Sequence, residues 1–163
     1  MMMLDVEKIL ADTSQIDDSH LFASLKPLDK KNRTVFYADD SSVARNQIER
    51  TPEALNVNGI SAINGRQGWD ELQKLATQAE IAGRPVSDFV QLVLTDVEMP
   101  EMDGYVLTKH IKSDPRFVGI PVLMHSSLSS DANKQLGFSV GVDEYVPKFE
   151  PHRLAEVLNR LLK

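Results

Sequence analysis

Two adjacent carboxylates, Asp39 and Asp40, close the apolar run in VFYADDSS, and a third, Asp96, closes the run in LVLTDVEMP. A hydroxyl, Ser126 in VLMHSS, and an ammonium, Lys148 in EYVPK, end two later runs. Three converging carboxylates repel one another and raise each other's pKa unless a cation lies among them. All-oxygen ligation without cysteine suits a hard ion such as Mg2+, which takes one or two carboxylates and keeps waters and phosphate oxygens. In such a setting Lys148 meets phosphoryl oxygens and Ser126 donates a hydroxyl. Asp96 is then a carboxylate nucleophile whose attack on phosphorus gives an aspartyl phosphate.

Each residue also has a plainer reading. Asp39 and Asp40 with Ser41 and Ser42 make a turn and a helix N-cap. MPEMDG makes a turn, with Met99 and Met102 as packing. Ser126 and Lys148 alone are a loop hydroxyl and a solvated charge, and Tyr145 alone a half-buried edge residue. The coincidence of all these residues at the ends of successive apolar runs favours a shared site.

The elements that must bring them together follow from periodicity. From Arg33 onward the strand-like runs TVFYA, GISAI, FVQLVLT, IPVLMH and DEYVP alternate with amphipathic segments, predicting helices over 42–55, 66–82, 103–112, 130–140 and 151–162. Near-continuous apolar character in FVQLVLT and IPVLM fits central parallel strands covered on both faces. The expectation is an α/β domain over 33–163, a doubly wound five-stranded parallel sheet with five flanking helices. Ligands of such sheets sit beyond the carboxyl ends of the strands, where the chain direction reverses. Residues 1–32 carry one short amphipathic run, Leu4, Val6, Ile9 and Leu10, then the polar TSQIDDSH, and read as a short helix plus linker.

Composition removes other classes. At 163 residues and 42% hydrophobic content the chain suits one domain with a short appendage. The absence of cysteine excludes disulfides and thiol chemistry and fits a reducing, cytoplasmic setting. No apolar stretch approaches the roughly 18 residues of a membrane span, and MMMLDVEKILAD lacks a basic signal region. A net charge of −6 offers no basic face for nucleic acid. His20, His110, His125 and His152 show no metal-ligand spacing, and His125 reads as a strand-end side chain. Trp69 lies on an apolar stripe with Leu72, Leu75 and Ala76 and reads as core.

Asp39-Asp40, Asp96 followed by MPEMDG, Ser126, Tyr145 and Lys148, in that order, resemble the response-regulator receiver domains of two-component signalling. The segments ARNQIERTPEALNVNGISAINGRQGWDELQKLA and SSLSSDANKQLGFSVGVDEYVPKF are similar to the receiver half of CheV-type chemotaxis coupling proteins. MLDVEKIL resembles the final helix of the CheW-like module that precedes that receiver. The resemblance implies a flavodoxin-like fold with strand order 2-1-3-4-5, and Asp96 as phosphoacceptor for a CheA-like histidine kinase. It also implies Mg2+ held by Asp39, Asp40, Asp96 and the backbone carbonyl of Glu98, and a phosphoryl contact from Lys148. Ser126 turns toward the phosphoryl group, and Tyr145 moves inward behind it. Such a domain is no enzyme beyond its own phosphorylation and dephosphorylation. Implied partners are the kinase, a chemoreceptor array or the CheW-like module, with neither nucleic acid nor membrane insertion. Output is expected through the surface of the fourth helix, fifth strand and fifth helix.

Three features depart from the family pattern. Lys148 is followed by Phe149 where many receivers have proline, so a trans bond is expected there. Pro52 falls inside the first helix pattern and predicts a kink or stop near Thr51. Glu98 places an acid where its side chain overlooks the reaction. Two rivals come from other classes. Asp96-Val97-Glu98 resembles the Asp-x-Asp start of haloacid-dehalogenase-like phosphohydrolases, though Pro100 stands where they carry Thr or Val, Asp39-Asp40 is unexplained and no cap segment is present. The other is a sheet domain that only binds a partner.

Overall fold

The computed structural model describes residues 33–54 and 57–162. The helix and linker expected over 1–32 lie outside them. Five strands, β1 (Thr34–Ala38), β2 (Asn58–Ala62), β3 (Leu92–Thr95), β4 (Val122–Ser126) and β5 (Glu144–Pro147), form one parallel sheet in the order β2-β1-β3-β4-β5. Five α-helices alternate with them: α1 (Ser42–Ala54), α2 (Gly65–Ala82), α3 (Gly104–Ser113), α4 (Asp131–Val140) and α5 (Pro151–Leu161).

Alternating side chains give the sheet two cores, as a strand buried on both faces requires. Phe36, Ala38, Val93, Val122 and Met124 share one core with Leu72 and Ala76 of α2 and Leu107 and Ile111 of α3. Val35, Tyr37, Leu92, Leu94, Leu123 and Val146 pack on the opposite face with Ile48 of α1 and Leu154 and Leu158 of α5.

Polar side chains start the helices where the sequence supplies them. Asn64 accepts from Gln67 N at 2.8 Å, Asp103 from Val106 N at 2.9 Å and Ser130 from Asn133 N at 3.1 Å. Gly83 and Gly141 close α2 and α4 with φ of 68° and 111°, a left-handed turn that side chains with a Cβ resist.

The expected elements are all present, and FVQLVLT and Trp69 differ from expectation in extent and depth. FVQLVLT is strand only from Leu92. Its first residues follow a 3-10 turn over Val86–Asp88, and Val90 is buried beside the sheet rather than in it, so the apolar run marks burial more than strand. α1 runs through Pro52 to Ala54, the extent its pattern predicts and without the early stop that is one of the two outcomes expected near Thr51, because a proline in the last turn costs one hydrogen bond and not the helix. Trp69 is half-buried at the core's margin, stacked on His110 at 5.1 Å and tilted against Phe117. Among the described residues no peptide bond is cis, so Lys148–Phe149 is trans, and the chain turns at Phe149 with φ 68°.

Candidate functional site

β1 has β2 on one side and β3 on the other, so the chain reverses its direction of travel across the sheet between them. The crevice beyond their carboxyl ends is where a doubly wound sheet offers a binding site. Asp39 follows β1, Asp96 follows β3, Ser126 ends β4 and Lys148 follows β5. One oxygen each of Asp39, Asp40 and Asp96 lie within 4.8 Å of one another.

The two buried acids divide their oxygens in the same way. Asp39 Oδ1 accepts from Ser41 N at 2.9 Å, and Asp96 Oδ1 accepts from Val97 N at 2.7 Å. The turn and cap reading is therefore true of this half of the geometry, and Ser41 Oγ caps α1 by accepting from Ala44 N. Both Oδ2 atoms face Lys148: its Nζ donates to Asp96 Oδ2 at 3.0 Å and lies 2.9 Å from Asp39 Oδ2. The second contact is a close ion pair, so the ammonium is shared between the two acids and Asp39 Oδ2 is buried with Lys148 as its one cationic neighbour among the described residues. Three carboxylates with one oxygen each within 4.8 Å, sharing a single ammonium, are an all-oxygen donor set of the kind a hard cation takes.

The electrostatics point the same way. Burial raises the pKa of Asp96 above the ordinary carboxylate value and the charge of Asp39 adds to it, more than Lys148 and Val97 N offset. For Lys148 burial is the largest single influence and lowers the pKa, but the hydrogen bonding and charge of Asp39 and Asp96 outweigh it and hold the ammonium above the ordinary lysine value. Asp40 is exposed. It borders an open hollow of ≈ 380 Å³ with Glu98, Met99, Asp103 and Tyr105. Glu98 is exposed on that rim, and its carboxylate is outside the group formed by Asp39, Asp40 and Asp96.

Ser126 is buried and its Oγ accepts from Leu128 N at 3.1 Å. Tyr145 is buried as well, with its hydroxyl donating to Leu128 O. Burial raises the tyrosine pKa, against a lowering from the Ser126 hydroxyl.

Four supporting residues were not singled out as functional by the sequence. Arg45 of α1 donates to Asp39 O at 2.7 Å and fixes the turn that carries both acids. Thr95 Oγ1 donates to Asp96 O at 2.9 Å. Gly104, in the MPEMDG turn, packs so closely that a Cβ there would fall 1.8 Å from Asp96 O, so the turn fixes the backbone of the acid. The Asp-Gly pair was the signal, but its role depends on α3 returning to the end of β3.

His125 is the fourth. It stands next to last in β4, the strand-end position expected of it, and is 3% exposed with Nδ1 unpartnered. Burial, and then the charge of Lys148, push its pKa down to about 3. The folded state therefore resists a proton that the unfolded chain accepts below about pH 6.5. Stability contributed by neutral His125 is complete above that value and declines as the pH falls toward the folded pKa. Compared with His125→Leu by denaturant titration, the wild type loses about 1.4 kcal/mol more per pH unit over this window. Parallel pH profiles for the two proteins would contradict this assignment.

A 2-1-3-4-5 parallel sheet carrying buried acids and a lysine at its switch point defines an α/β domain of the receiver class. The chain belongs to the response regulator receiver domain family, which matches residues 35–159. It is 31% identical to the chemotaxis protein CheV2 of Helicobacter pylori over 170 residues, covering 98% of this chain and 49% of that protein. It is 32% identical to chemotaxis protein CheY1 of the same organism over 126 residues, covering 76% of this chain and 92% of CheY1. The structure of Vibrio cholerae CheY4 superposes with a TM-score of 0.66 at 25% identity, covering 79% of this chain and 98% of that one. The chain spans about half the length of the CheV proteins it matches. It is a receiver domain of the chemotaxis response-regulator type, a phosphoacceptor module of two-component signalling. No described helix is long and apolar enough to cross a membrane.

Proposed function

We propose that Asp96 accepts the phosphoryl group, with Lys148 and Ser126 as the groups that meet its oxygens. The observation that carries this is the shared orientation of Asp39 and Asp96, each with one oxygen fixed by a backbone N–H and the other turned to the Lys148 ammonium. An Asp96 oxygen attacks phosphorus, the bond from phosphorus to the donor nitrogen of a phosphohistidine breaks, and the electron pair leaves with the imidazole, which takes a proton. Lys148 already lies on the attacking carboxylate and follows the negative charge onto the phosphoryl oxygens. Ser126 contributes a hydroxyl donor from the end of β4. Mg2+ at Asp39, Asp40, Asp96 and the Glu98 backbone carbonyl supplies, when bound, positive charge against the phosphoryl oxygens.

The likeness to CheV proteins supports a cytoplasmic chemotaxis setting, in which a CheA-like histidine kinase is the donor and a receptor array or CheW-like module receives the output. The chain acts as an acceptor and on no second substrate. Incubation with radiolabelled phosphoramidate and Mg2+ tests the reading. The expected result is label approaching one phosphoryl group per chain and lost when the metal is chelated. Steady phosphate release without labelled protein would indicate a hydrolase, and no label at all a binding module.

A further inference from the structure

The β3–α3 loop, which carries Glu98, is closed at its base by Gly104 N donating to Val97 O at 2.8 Å. At its tip Met102 N donates to Pro100 O at 2.8 Å across Glu101, whose φ is 68°. A three-residue turn closed in this way, with a positive φ at its centre, is the strained γ-turn that a loop adopts only when its surroundings impose it. The start of α2 supplies them. A Cβ on Gly65, the first residue of α2, would fall 2.0 Å from Met102 O and 2.8 Å from Met102 C, so the loop's backbone fills the space where a side chain would begin. Asn64 Nδ2 adds a long contact to Glu101 Oε2 at 3.5 Å. α2 is itself anchored. Asn64 Oδ1 accepts from Gln67 N at 2.8 Å, and Gln67 Oε1 accepts from Ile63 N at 2.7 Å. One turn on, buried Gly68 lies against β1 and β2, where a Cβ would meet Ala38, Phe36 and Ala62 at ordinary contact distances of 3.5, 3.6 and 3.7 Å.

We infer that Gly65 is a positioning residue for the metal: the start of α2 braces the tip of the β3–α3 loop, and the brace sets where the Glu98 backbone stands relative to Asp39, Asp40 and Asp96. With any Cβ at position 65, Met102 O must withdraw by about 1 Å to reach the closest approach that a Cβ tolerates. α2 is seated on the sheet and does not retreat to make that room. The base of the loop is pinned as well, since a Cβ on Gly104 would fall 1.8 Å from Asp96 O. The displacement therefore passes into the residues between, Glu98 to Glu101. Mg2+ demands near-ideal octahedral geometry, so a site whose backbone ligand has shifted binds it less tightly. The link to Mg2+ rests on the proposed metal site, whereas the brace itself does not.

Amide hydrogen exchange in chelator reads the brace, and calorimetric Mg2+ titration reads its consequence, each on the wild type, Gly65→Ala and Gly68→Ala. Gly65→Ala is expected to speed exchange of the Met102 and Gly104 amides at least about tenfold, leaving the Arg84 amide at the far end of α2 unchanged. It is also expected to weaken Mg2+ binding at least about fivefold. Gly68→Ala makes the same exchange of residues in the same helix without a clash, and is expected to stay within about twofold of the wild type in both assays. A folded Gly65→Ala protein that matches the wild type in either assay overturns the inference, as does an equal loss of Mg2+ affinity in Gly68→Ala. Where Gly65→Ala does not fold, the wild type decides. Mg2+ is then expected to slow exchange of the Gln67 and Gly68 amides in the first turn of α2 at least about threefold, and no change there overturns the inference. A wild type that binds no Mg2+ strikes the proposed metal site and the positioning role with it, while exchange in chelator still reports the brace.

Discussion

Asp96→Asn is expected to lower labelling by phosphoramidate at least ~100-fold while raising the unfolding midpoint in chelator. The first effect follows from removing the only nucleophile that the proposed reaction uses, an amide oxygen being too weak to replace a carboxylate. The second follows from the raised pKa of Asp96. Burial and the nearby Asp39 make its negative charge unfavourable in the folded state, even with Lys148 present. The folded protein therefore binds this proton at a higher pH than the unfolded chain does. Stability linked to Asp96 rises as the pH falls through its folded pKa and is least at neutral pH. Asn removes the charge, keeps the shape and leaves Asp39 paired with Lys148. Labelling with loss of stability would mean a structural acid, and unchanged labelling would place the acceptor elsewhere.

Lys148→Met is expected to destabilise the metal-free protein by about 3–5 kcal/mol, the usual consequence of leaving buried charges without their partner. The lysine side chain is only 9% exposed and stands between two acids that are otherwise uncompensated. Methionine keeps the unbranched stem but not the charge. Millimolar Mg2+ should return a larger share of stability to Lys148→Met than it adds to the wild type, because ammonium and metal relieve the same repulsion. Denaturant titrations of both proteins, with and without Mg2+, measure this. An unchanged midpoint for the variant in chelator would show that the ammonium spends its time in solvent.

Much of this was legible in the sequence because strand burial and helix amphipathicity leave strong local patterns. TVFYA coincides with β1, and the order of acids, hydroxyl and lysine along the chain places each at the end of a strand. Other features depended on packing between distant elements. FVQLVLT overstated β3 because a buried residue beside a sheet, such as Val90, has the same composition as one within it. His125 reads as a strand-end side chain and is one, but its near-complete burial comes from packing that no local pattern carries. Asn64-Gly65 signals no more than a turn, and the meaning of the glycine appears only when the carbonyl of Met102 is seen against it. The split use of the Asp39 and Asp96 oxygens was also beyond reach, since a turn and an acid site predict the same residues.

The most direct test of the account is the position of the phosphoryl group itself. After brief exposure to phosphoramidate and Mg2+, reduction with borohydride converts an aspartyl phosphate to homoserine, which peptide mass spectrometry then locates. The account predicts homoserine at residue 96 alone, absent when the metal is chelated and absent in Asp96→Asn. Homoserine at Asp39 or Asp40, or an unreduced phosphate ester on Ser126, would contradict it.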